Sequence, residues 1–85
     1  MTDTPASSIS EMRNLGIATQ YHAQGRRFWA EQFPNLSWWA ILAEASDNHT
    51  LEDVIIEKVA ATKIEDQEHA ARMLMAVVVY EMAFG

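Results

Sequence analysis

Residues 70–84 read AARMLMAVVVYEMAF, and only Arg72 and Glu81 put charge into them. Across residues 73–80 the tyrosine hydroxyl is the single polar side-chain group. A helix with one buried face shows polar positions every third or fourth residue. This stretch shows none, which predicts a helix apolar on all sides, and such a helix must be covered on all sides. It is expected to be the central helix of a small bundle, with a second copy or a partner completing its cover.

Upstream the pattern is looser. Ile9, Met12, Leu15, Ala18 or Thr19, His22, and Phe28 or Trp29 fall on a stripe at helical spacing. Ser8 with Glu11 forms an S-x-x-E capping box at its start. Gly16 and Gly25 each weaken the stripe by up to ~1 kcal/mol relative to Ala. The pattern allows one helix over 9–32 or a break near Asn14, Leu15 and Gly16. One helix, with a kink, is the expectation. It must stop by Phe33, because Pro34 disfavours helical geometry in the residue before it.

Asn35 or Ser37 is expected to cap a second helix reaching Ala45. Successive helical residues point ~100° apart, so Trp38 and Trp39 cannot share one narrow stripe. One of the two belongs at a core edge or in an interface, and the same holds for Phe28 and Trp29. Thr50 with Asp53 predicts a third helix over 51–61, its face made by Leu51, Val54, Ile55, Lys58 and Val59. Acidic residues near its start suit the helix dipole. Thr62 with Glu65 offers a further capping box, and the fourth helix is expected over 65–83. The fold class is therefore all-α: a small bundle of three or four helices that self-associates as a dimer. Residues 1–7 are expected to be a frayed polar tail, and 8–85 one helical domain.

Composition sharpens this in two ways. A chain of 85 residues with three Trp, three Phe, two Tyr and five Met has much apolar surface to hide, and association is one way to hide it. With no cysteine, neither a disulfide nor a thiolate metal site can add stability. The formal charge of −6 is uneven: residues 1–45 hold three basic and four acidic side chains, residues 46–85 three and eight. Such a balance repels phosphate backbones, which argues against direct nucleic-acid binding, and suits a basic protein partner. The start, MTDTPASSIS, has neither the basic nor the apolar region of a secretory leader. The terminal apolar run is shorter than the ~20 residues of a membrane span. The expectation is a cytoplasmic chain with no membrane contact.

The sharpest local pattern is Glu65-Asp66-Gln67-Glu68-His69-Ala70. Helical positions three or four apart lie on one side, so Asp66 with His69, and Glu65 with His69, could face one ion. Carboxylate with imidazole suits iron, manganese or zinc. The segment resembles the Glu-x-x-His run of ferritin-like carboxylate-bridged di-iron proteins over about eight residues. The resemblance implies an iron or manganese site of Asp66, His69 and Glu65 shared between chains. Asp66 stands where that family has Glu, and the candidates for the bridging position in the first two helices are Glu31 and Glu44. The competing reading is an ordinary helix start with His69 paired to Glu65 and Glu68 to Arg72.

His22 reads as a core-edge histidine and His49 as a solvated loop residue. Arg26 and Arg27, followed by Phe28 and Trp29, could hold an anion, but Arg27 with Glu31 is a plain helical pair. No phosphate-binding glycine motif is present. Glu52, Asp53, Glu57, Glu65, Asp66 and Glu68 form a set that a helical hairpin would gather at one end. The function expected first is a small acidic, non-enzymatic adaptor or inhibitor, of a kind phages and mobile elements carry, that masks a basic surface of a partner protein. Trp38 or Trp39 would anchor it, and the six carboxylates would steer association. The ferritin-like metal protein is the alternative.

Overall fold

The computed structural model describes residues 9–85. Ser8 of the first capping box and the 1–7 tail lie outside the described residues. Among those described there are five helices and no strand: α1 (helical residues 9–11), α2 (Leu15–Gln32), α3 (Trp38–Glu44), α4 (Leu51–Ala60) and α5 (Gln67–Phe84).

The expected single helix over 9–32 is two. After α1 the amides of Met12, Arg13 and Asn14 donate three residues back, to Ile9, Ser10 and Glu11 at 2.9, 3.0 and 3.1 Å. These tight turns end the first helical run. The Asn14 side chain then accepts from the Ile17 amide at 3.2 Å and caps α2. A short amide side chain satisfies the first orphan donors of a new helix better than it tolerates the middle of an old one.

α2 stops at Gln32, next to Phe33 and Pro34, as the proline predicts. The Trp29 indole N–H donates to the Leu36 carbonyl at 2.7 Å, closing the turn into α3. Trp29→Phe removes that donor and leaves the carbonyl unpaired. The expected loss is about 1 kcal/mol, read as a lower urea midpoint at unchanged slope. Ser37 precedes α3 without a side-chain capping bond.

The capping box of α4 forms with both bonds. Asp53 N–H donates to Thr50 Oγ1 at 3.2 Å and Thr50 N–H to Asp53 Oδ2 at 3.3 Å. The box expected at Thr62 and Glu65 does not form. Thr62 Oγ1 instead donates to the Val59 carbonyl at 2.7 Å, finishing α4. The cap of α5 is Asp66, whose carboxylate accepts from the His69 amide at 3.0 Å. α5 therefore starts two residues later than expected.

α5 is the centre. Ala70, Ala71 and every residue over 73–78 are at most 5% exposed. α2 runs antiparallel along it: Phe28 meets His69, Gly25 meets Met73 and Val77, and His22 meets Tyr80. α4 and α3 also pack against it. The all-round apolar middle of α5 is thus covered within one chain. Its last turn is not: Met82 and Phe84 are 55% and 61% exposed. Among the described residues no helix is long and apolar enough to cross a membrane.

Candidate functional site

The turn after α2 and the start of α3 place three tryptophans around one open groove. Trp29 forms a buried wall, pinned by its bond to Leu36. Trp38 is half-buried and Trp39 is 62% exposed. Their rings meet edge to face, with centroids 5.8 Å apart. The groove encloses about 340 Å³. Arg26, Pro34 and Leu36 line it with the tryptophans, and Val77 and Glu81 of α5 form its far side. Neighbouring positions on α3 point to different sides, which is why Trp38 faces inward and Trp39 does not.

Glu81 has a second role. Its Oε1 lies 3.3 Å from His22 Nε2, and the His22 ring stacks on Tyr80 at 3.6 Å between centroids. This cluster joins α2 to the end of α5. His22 is the core-edge histidine expected; its partners, 59 residues away in sequence, gave no local signal.

The six carboxylates do not act as one set. Glu52 is turned inward, at 9% exposure, and is no part of an accessible patch. It takes two hydrogen bonds from Arg13, each 2.7 Å, and one from Ser10 Oγ at 3.1 Å. The Arg13 hydrogen bonds hold its carboxyl down to about 2, against burial, which pushes it up. The same bonds raise the Arg13 guanidinium. Placing Glu52 on the steering surface is therefore corrected. Asp53, next to it in sequence, is exposed, and the bonds from Ser10 and Arg13 are what hold Glu52 inward.

Asp53 is exposed and closes the α4 capping box. Glu57 is exposed and pairs with His49, Nε2 to Oε2 at 2.7 Å. Glu65 is exposed in the turn before α5, and Glu68 is half-buried in its first turn. Glu44, outside the set, pairs with Lys58 at 2.7 Å and ties α3 to α4.

The proposed metal residues are placed by helix capping. Asp66 Oδ1 accepts the His69 amide, so the carboxylate points at the backbone of α5. The His69 ring stands edge-on to Phe28 at 5.5 Å. Glu65 precedes the helix, so the helical spacing assumed for Glu65 and His69 does not apply. Among the described residues no group of three or more His, Asp or Glu side chains could hold a metal ion.

Trp38 and Trp39, singled out in the sequence, both line the groove, and so do Pro34 and Leu36, which were not singled out. The pair of aromatic residues flanking a proline-containing turn was the available signal. Compared with protein-family models, with curated proteins and with solved structures, the chain matches none.

Proposed function

We propose that this chain is a non-enzymatic protein-binding module whose contact is the groove beside Trp38 and Trp39. The observation that carries the reading is Trp39, 62% exposed at the mouth of an aromatic-walled groove. A tryptophan side chain held against water is an uncommon use of the largest apolar group. The same group dominates binding energy when a partner covers it. The Trp29 wall is also held in place by its bond to Leu36, and a wall fixed in advance lowers the ordering cost of binding.

The chain's charge of −6 favours a partner with a basic surface, since long-range attraction speeds encounter. Of the six carboxylates, Asp53, Glu57, Glu65 and Asp66 are exposed and can steer. They raise the association rate, and Trp39 supplies the affinity.

The test starts from affinity capture and ends with purified components. A captured protein is titrated by calorimetry against the wild-type chain and against Trp39→Ala. Binding is expected to weaken roughly tenfold or more, while the melting temperature moves by less than ~4 °C. The opposite pattern, a large thermal loss with binding unchanged, would make Trp39 a structural residue and end this reading.

A further inference from the structure

We propose that the tryptophan groove takes a methylated lysine side chain of the protein partner, its quaternary ammonium held by the indoles beside Glu81. The proposal rests on the groove being the contact surface, and it names what enters it. Three indoles line the groove, and the rings of Trp38 and Trp39 stand at 79° to one another. Two rings set nearly at right angles make a corner, and the buried Trp29 adds a wall. The face of an indole carries negative π density, which attracts a cation without hydrogen bonding to it. Such a corner fits a round, methylated ammonium. An anionic group stands beside it: Glu81 lines the same groove with its side chain 19% exposed. Arg26, the cation of the lining, is exposed, so water and salt screen it more than they screen Glu81. The local balance therefore favours a cation, in the same sense as the charge of −6 on the whole chain.

Other cations fit less well. An unmethylated lysine brings three N–H donors that must leave water. Against them the side chains of the lining offer the Glu81 carboxylate and the Ser37 hydroxyl. Methylation removes those donors, lowers the hydration of the charge and adds apolar surface for the indoles. An arginine fork looks for both oxygens of one carboxylate, and one oxygen of Glu81 already lies 3.3 Å from His22 Nε2. A free quaternary ammonium solute needs a pocket that covers most of it. This groove is open, with Trp39 62% exposed, so the cover has to arrive with the chain that carries the ammonium.

Titration of short peptides into the 85-residue chain tests this. Each peptide is neutral apart from one lysine, present unmethylated, trimethylated, or as the uncharged tert-butyl isostere. Indole N–H signals in nuclear magnetic resonance spectra report the contact. The trimethylated peptide is expected to shift the Trp38 and Trp39 signals and to bind about threefold or more tighter than the isostere. Glu81→Gln is expected to weaken the trimethylated peptide and leave the isostere unchanged, and Trp39→Ala to weaken both. Equal binding of the trimethylated peptide and the isostere overturns the proposal, as does the absence of any indole shift in the millimolar range. Tetramethylammonium binding as tightly as the trimethylated peptide overturns the choice of a partner's side chain. The two readings can fail separately. A captured partner that needs Trp39, with a trimethylated peptide that shifts nothing, ends this proposal and keeps the protein-binding module. A trimethylated peptide that binds, with a captured partner indifferent to Trp39, does the reverse.

Discussion

One methyl group at position 25 is expected to destabilise the protein although it favours the helix that carries it. Gly25 lies in the middle of α2, where Ala is preferred to Gly by about 1 kcal/mol. Gly25 is also buried at the crossing with α5. A Cβ built there would lie 2.9 Å from the Met73 carbonyl oxygen and 2.9 Å from Val77 Cγ2. Val77 can turn, but Met73 O belongs to the backbone of the central helix and can move only if α2 or α5 moves. Overpacking of this kind costs about 1–3 kcal/mol, and a helix shift adds loss along the whole α2 and α5 contact. Gly25→Ala is therefore expected to lower the unfolding free energy by about 1–2 kcal/mol net, and Gly25→Val by more. Urea denaturation followed by far-UV circular dichroism measures it. A more stable Gly25→Ala protein would mean that propensity wins and that the two helices are not pressed together here.

Acid is expected to remove the bonds that hold the turn after α1 to α4. Glu52 is held at about 2 in the folded protein, against an ordinary value of 4.5. The sign follows from linkage: a depressed carboxyl stabilises the fold fully above its unfolded value, and that stability is lost as pH falls towards the folded one. The window runs from about 4.5 down to about 2. Glu52's side chain is 12% exposed, so little of its interaction is screened directly, but Arg13 is 49% exposed and solvent weakens the pair from that side. The contribution lost across the window is at most about 3 kcal/mol. Urea midpoints at steps from pH 5 to pH 2 are expected to fall in the wild type and to fall distinctly less in Glu52→Gln. Parallel pH curves for the two proteins would show that the pair adds nothing. Arg13→Met is a second probe. It leaves the carboxylate with Ser10 as its remaining side-chain donor, at an expected cost of about 2–3 kcal/mol at neutral pH.

The elements were readable because their signals are local. Thr50 and Asp53 announced α4, Pro34 the end of α2, and the unbroken apolar run the core of α5. Errors came where two local signals competed. Asn14 can sit in a helix or cap one, and the capping bond to Ile17 prevailed. Thr62 with Glu65 was the capping signal in the sequence for the start of α5, and that box does not form. The structure gives the cap to Asp66, whose Oδ1 accepts from the His69 amide. The site was legible only as residue types. Trp38 and Trp39 stood out by their size and adjacency, but no spacing rule says which of them meets water.

By itself the sequence determined the fold class, most helix boundaries, the identity of the central helix and the acidic balance. Those follow from side-chain preferences acting over a single helical turn. Tertiary structure alone decided that Glu52 lies inside and Glu57 outside, since Arg13 reaches Glu52 across 39 residues. It alone decided that Gly25 is a point of contact between helices and that Trp29, Leu36 and Glu81 enclose one groove. It also decided that α5 is covered along its middle but left bare at its end. Each of these depends on how whole helices are placed against one another, and that placement is set by the summed packing of the core rather than by any neighbour in the chain.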